Sequence, residues 1–479
     1  MLTLSEYMDM DAVALARGIR SKEFSCAEVT ACAIQRAQNT NPAINAIVTD
    51  NYVSAAEQAR KIDADSSLLA KSQLAGLPFL IKDLSMVKGL QAGFGSALFA
   101  QHIAQRNSHI VQKYLDAGLV IMGTTNTPEK GLTITTEPLA NGACRNPWNT
   151  EHSSGGSSGG AAAAVAAAIT PVAHATDGGG SIRIPASVCG LFGLKPSRGL
   201  TAVENSLGES WSGMSVGHVV SQTVGDSAAF LDLISIDEPN LYPMPPSPPS
   251  FYEAVNQEPG QLRIAVQLAH PLDQRIDADC IDAVHKAAQL CESLGHSIEE
   301  VIHPVAYQPV ISAMARIINL HVYQALQGRL DELNLSLEDS PLEASTRLMV
   351  KSGSKLSAAD YLAARDLLKD AERQMTRFHH RYDVVISPVL SKTPARIGWL
   401  DMNSDDMKQY TARFKAYGGF TALYNGTGQP SMSMPLHWTA DKLPVGVMFT
   451  GAWGADSLLL RLARQIEQAS PWPRYSDSL

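Results

Sequence analysis

The chain has 479 residues, 45% of them hydrophobic, enough to bury a large core. Its net charge of −9 argues against nucleic-acid or anionic-membrane partners, which call for basic surfaces. Six cysteines (Cys26, Cys32, Cys144, Cys189, Cys280, Cys291) form no C-x-x-C pair and read as reduced core thiols of a cytoplasmic protein. The thirteen histidines contain no H-E-x-x-H and no cysteine partner at ligand spacing, so neither a metal nor a cofactor is expected.

The first residues carry Glu6, Asp9 and Asp11 and no basic side chain, unlike a signal peptide. No apolar run of about 18 residues occurs that would span a membrane. Asp9 to Arg20, Ser25 to Gln38 and Val53 to Asp63 read as amphipathic helices of mixed charge, the second opened by the capping box Ser25-x-x-Glu28. Gly76 to Ile81 reads as a buried strand that delivers Lys82 and Asp83 at its end. Burial disfavours an ammonium ion and lowers its pKa, which is what a lysine general base requires. A strand-end lysine paired with Asp83, or snorkelling to water, fits the same pattern. Asn107 to Ala117 reads as a helix closed by Gly118, and Leu119 to Met122 as the next strand. This alternation implies an α/β fold: a large mixed, mostly parallel sheet covered by helices on both faces. The loop from Asn126 to Lys130 leaves a strand end, where ligands bind in such sheets. Asn126 and Thr127 are therefore candidate substrate contacts.

Gly155 to Ser181 holds two glycine-rich loops with serine, separated by small residues. Ala161 to Ile169 reads as a tightly packed helix, Pro171 to Ala175 as a short strand, and Thr176 to Ser181 as the turn leaving it. One Gly/Ser cluster is commonly a linker; two flanking an alanine helix make a poor one. A P-loop needs Gly-Lys, which the chain lacks. Gly155 to Gly159 matches the G-x-S-x-G elbow, but Thr150 to Ser154 ahead of it is no buried apolar strand. Serine chemistry needs a base, and Lys82 is the best candidate upstream. Ser158 joins the candidate substrate contacts.

The second half says less. Pro239 to Pro259 is proline-rich and reads as a surface connection between two halves of one domain spanning residues 1–479. Leu262 to Val266, Val384 to Ser387 and Val445 to Thr450 read as strands. Cys280 to Leu294, Ile311 to Leu330, Ser357 to His379 and Ser457 to Ala469 read as helices. Met314, Ile318, His321 and Tyr323 fit a pocket wall, yet helical spacing alone more often means core packing.

Lys82 in LIKD, the run GGSSGG and the run TDGGGSIRIPASVCGLFGLKPSRG together resemble the amidase signature family. Thr125 to Glu129, Arg145 to Asn149 and Asn425 to Pro435 also fit its pattern, so the resemblance covers nearly the whole chain. It implies an amide hydrolase in which Ser181 attacks the carbonyl, Ser157 follows a cis peptide bond and relays the proton, and Lys82 is the base. Backbone N–H groups of Gly178, Gly179, Gly180 and Ser181 would form the oxyanion hole. Asp177 and Arg183 would brace the turn. Within the family the chain looks most like bacterial amidases acting on 6-aminohexanoate cyclic dimers; aryl amides, carbamates and esters suit the same apparatus. The resemblance is compatible with a homodimer. Alternatives are the glutaminase subunit of a tRNA-dependent amidotransferase and a non-catalytic binding scaffold.

Overall fold

The computed structural model describes residues 2–203, 210–235 and 241–474. Three strands make a small sheet: β1 (Ile47–Asp50), β2 (Pro78–Lys82) and β3 (Val120–Thr125), in the order β1-β3-β2. A hairpin follows, β4 (Arg145–Asn146) and β5 (Asn149–Ser153). The main sheet takes β6 (Val172–Asp177), β7 (Phe192–Lys195), β8 (Val216–Ser221) and β9 (Arg263–Val266). It is completed by β10 (Ser297–Glu300), β11 (Val384–Pro388), β12 (Ser431–Trp438) and β13 (Pro444–Gly451). Its order is β10-β9-β11-β13-β12-β7-β8-β6.

The sheet is mixed. Parallel pairing joins β2 to β3, and β9 to both β10 and β11; the remaining pairs among the described residues are antiparallel. The parallel share is smaller than the strand–helix alternation implied. Residues 439–443 joining β12 to β13 are too few for a crossover, so that pair turns back on itself. Strand side chains alternate between two cores. On β13, Val447 and Phe449 enter a cluster with the helices Val224–Ile234, Ala278–Ser293 and Asp456–Ala469. Met448 between them joins the opposite cluster, with the helices Gly159–Ala166 and Arg183–Cys189. Both faces are thus covered.

Local chemistry sets the boundaries. Ser25 and Glu28 form the expected capping box on the helix Cys26–Ile44. The helix expected over Asp9 to Arg20 is Ala12–Ser21, capped by Asp11, and a separate helix, Leu4–Asp9, capped by Thr3, precedes it. The strand expected to stop at Ala175 runs on to Asp177, paired through Thr176 and Asp177 with Gly217 and Val216. Pro239 and Asn240, where the proline-rich connection begins, lie outside the described residues. Leu241 to Ser250 is irregular, and the short helix Phe251–Ala254 then docks Phe251 into the core.

Candidate active site

β2 is apolar and buried along its length, and it carries Lys82 to its end with no exposed surface. There the amine lies 2.8 Å from Oγ of Ser157 and 2.9 Å from Oγ1 of Thr176. Asp83 faces elsewhere: its carboxylate accepts the N–H groups of Gly93 and Gly95 at 3.0 and 3.3 Å. Burial pushes that carboxyl up to about 7 against the pull of those donors. Of the two readings of Lys82, the amine has therefore gone to hydroxyls in the interior.

Ser157 follows a cis peptide bond from Gly156. It is buried, and its hydroxyl is in contact with Lys82. The glycines around it are needed for space. A Cβ on Gly156 would stand 2.5 Å from the carbonyl oxygen of Thr135, and one on Gly160 would stand 2.3 Å from the backbone nitrogen of Asn126. Gly131, at φ +71, would bring a Cβ within 3.1 Å of Ser157 Oγ itself. This glycine had no signal in the sequence beyond lying in the loop after β3.

Ser181 sits at the turn after β6 and is partly exposed, unlike Ser157 and Lys82. No hydrogen bond involves its hydroxyl among the described residues, so the structure brings Lys82 and Ser157 into contact and leaves Ser181 unlinked to them. Asp177 shapes the turn by accepting the N–H groups of Gly180 (2.7 Å) and Ile182 (3.2 Å). Arg183 grips the same carboxylate through Nε and Nη2, both at 2.9 Å. Burial opposes the charge on Asp177, but Arg183, Lys195 and Asn425 outweigh it and hold the carboxyl well below the usual range. Asn425 donates to the carbonyl and carboxylate of Asp177 at 2.9 and 2.8 Å and accepts from Arg183 at 2.6 Å. Thr421 donates to the Gly179 carbonyl at 2.6 Å.

This bracing corrects the expected oxyanion hole. The N–H of Gly180 is already spent on Asp177, leaving Gly178, Gly179 and Ser181 with no protein acceptor among the described residues. Trp211 lies over Gly178, where a Cβ would meet its ring at 2.7 Å, whereas a Cβ on Gly179 would meet nothing within 4 Å. Open space therefore borders the donor run at its middle residue.

The expected substrate contacts are placed differently. Asn126 is fully buried and donates to the carbonyls of Asn45 and Gly142, both at 3.1 Å. Ser158 is buried too, exchanging hydrogen bonds with the backbone of Thr176 at 3.2 and 3.3 Å. Both fasten loops, because their hydroxyl or amide satisfies backbone groups that folding has removed from water. Thr127 is likewise fully buried. Of the candidate pocket wall, Met314 belongs to the core and packs by Gly426, and His321 meets Ser212 at 3.1 Å. A cavity of about 510 Å³ along the helix Met407–Tyr417 shares no residue with the site. Another of about 380 Å³, walled by Arg198, Ser212 and Tyr242, lies beside the turn that carries Trp211.

The Amidase family model matches residues 28–460. The chain belongs to the amidase family. It is 34% identical to the 6-aminohexanoate-cyclic-dimer hydrolase of Paenarthrobacter ureafaciens, over 96% of this chain and 95% of that protein. The solved structure of a 6-aminohexanoate cyclic dimer hydrolase complexed with substrate superimposes with a TM-score of 0.89 at 32% identity, covering 99% of this chain and 100% of that one. A bacterial aryl acylamidase of the amidase signature enzymes follows at a TM-score of 0.86 and 25% identity, over 98% of both chains. Like them, this amidase is a mixed α/β enzyme that acts on amides. No helix among its described residues is long and apolar enough to cross a membrane.

Proposed function

We propose that this amidase hydrolyses the C–N bond of a small, non-peptide carboxylic amide through an acyl-enzyme on Ser181. The observation that carries the reading is the buried amine of Lys82 at 2.8 Å from Ser157 Oγ. Ser181 Oγ attacks the carbonyl carbon and passes its proton to Ser157, which passes its own to neutral Lys82. Thr176 Oγ1, 2.9 Å from the amine, accepts one of its N–H groups, and the lone pair of the neutral amine takes the proton from Ser157. The contact between Ser181 and Ser157 closes once substrate is bound, as catalytic hydrogen bonds commonly do. Negative charge on the carbonyl oxygen is met by the N–H groups of Gly178, Gly179 and Ser181, each such donor being worth roughly 3–4 kcal/mol in other enzymes. The proton on Lys82 returns through Ser157 to the leaving nitrogen, which must depart as an amine. Water then repeats the sequence on the acyl-serine.

The substrate class follows from likeness. Relatives named for cyclic 6-aminohexanoate dimers and for aryl acylamides support cyclic, oligomeric or aryl amides, with carbamates and esters within reach of the same chemistry. The glutaminase reading is not favoured by these relatives. The six cysteines are free and buried, which supports a reducing compartment.

The test is a panel of lactams, linear ω-amino acid amides, anilides, carbamates, esters and glutamine, with amine or ammonia release measured for wild type and Ser181→Ala. Turnover of an amide or anilide that Ser181→Ala abolishes is the expected result. Equal turnover by the variant would remove Ser181 from the chemistry, and ammonia from glutamine alone would return the glutaminase reading.

A further inference from the structure

Two sheet edges meet at the amine. β2 ends the three-stranded sheet and β6 ends the eight-stranded one. A backbone N–H buried at such a seam needs an acceptor, and that of Lys82 finds Nδ1 of His174 at 3.3 Å, a side chain in place of a strand carbonyl. His174 and Thr176 are alternate residues of β6 and so share a face; the first takes the backbone of Lys82 and the second its amine, at 2.9 Å. Lys82 is thus held at both ends by one strand.

His174 is poorly satisfied otherwise. Accepting at Nδ1 fixes the neutral tautomer with its proton on Nε2, yet Nε2 is buried without a hydrogen-bond partner. The ring stands edge-on to Tyr114 at 5.8 Å between centroids. Burial, then Lys82 and then His218 hold the imidazole down at about 3, so it stays uncharged beside the amine. An apolar side chain would avoid the cost of a half-paired imidazole; what it could not offer is the acceptor. We propose that His174 is a positioning residue for amide hydrolysis, fixing through Nδ1 the backbone of Lys82 and hence the reach of its amine to Ser157. This rests on the reading of Lys82 as the base.

Three variants separate the acceptor from the bulk. His174→Asn puts Oδ1 where Nδ1 stood, His174→Gln moves the acceptor one bond farther out, and His174→Leu removes it. The readout is the rate of fluorophosphonate labelling at Ser181 across pH, which needs no known substrate, together with the melting temperature. Labelling within about threefold of wild type is expected for Asn, and slowing of about tenfold or more for Gln and Leu. The alkaline limb of the pH profile should move for Gln and Leu only. Lys82, His218 and Tyr114 are the titratable groups facing the ring, and all three are kept in every variant. Should Leu fail to fold, the contrast between Asn and Gln decides. Wild-type rates in all three, or losses in step with melting temperature, would overturn the role. Lys82→Ala run alongside separates the two readings: normal labelling there removes the base itself, whereas an inert Lys82→Ala with a normal His174→Leu removes only the positioning.

Discussion

The two glycine runs look alike in sequence and do opposite work. In the first, Gly155, Gly156, Gly159 and Gly160 are pressed against Pro185, Thr135, Thr136 and Asn126, so that a Cβ on any of them would overlap protein atoms. In the second, a Cβ on Gly180 would strike Thr421 at 2.4 Å, while one on Gly179 would meet nothing. Closed glycines let the protein pack; the open one leaves room for something else. A glycine-rich motif is thus informative only after asking what each missing side chain would have touched.

Substitution in the closed run should do the greater damage. Gly156→Ala places a methyl group 2.5–2.8 Å from the backbone of Thr135, and backbone yields less than a flexible side chain. A loss of about 1–3 kcal/mol or more, read as a lower urea midpoint, should accompany loss of activity. Unchanged stability would mean that the wall behind Ser157 is soft and the contrast between the runs unreal.

Gly179→Ala should show the converse. With no atom within 4 Å of the new carbon, stability should stay within about ±0.5 kcal/mol. Turnover should fall by about 10²-fold if the methyl group stands where the carbonyl must reach its donors. Full activity would place the reacting carbonyl elsewhere. Gly178→Ala is the intermediate case, since its obstacle is the ring of Trp211. Trp211→Ala should then restore part of what Gly178→Ala loses, a coupling of about 0.5–3 kcal/mol in a double-mutant cycle.

How much of this was legible beforehand follows the same division. Lys82 and Ser157, which the structure brings into contact, lie in short local patterns that the family resemblance picks out, a lysine closing an apolar strand and a serine among glycines. Ser181 lies in the same kind of pattern, but its hydroxyl has no link to them among the described residues. The Asp177–Arg183 brace was legible for the same reason, six residues apart on one turn. What the turn costs the oxyanion run was not, since nothing in a string of glycines says that Gly180 donates to Asp177. Asn126 and Ser158 hold backbone groups in the structure, which the sequence does not announce, because a polar residue beside a site looks the same whether it faces a ligand or a carbonyl. Trp211, Thr421 and Asn425 reach the turn from residues 33 to 248 positions away, and His174 meets Lys82 across 92. Local pattern carries no register for such pairs.

The smallest expected effect concerns the wall itself. Thr135 and Thr136, which close upon the first run, lead into Glu137, whose carboxylate accepts the N–H of Gly398 at 2.6 Å. Burial pushes this carboxyl up to about 7, and Asp401 adds to it, against the donors Gly398 and Thr135. Raised above its unfolded value near 4.5, the group binds more proton folded than unfolded between those pH values, so stability falls as pH rises through about 7. Glu137→Gln keeps the shape and removes the titration. Its stability relative to wild type should therefore climb from pH 5 to pH 8, by an amount on the order of 1 kcal/mol after discounting for partial exposure, read from paired urea midpoints. Asp83 and Glu343 are raised to about 7 as well, so wild type should still lose stability over this range after the substitution, with a shallower slope. An identical slope in both proteins would mean that Glu137 is solvated, and the closed side of the site would be wetter than its packing implies.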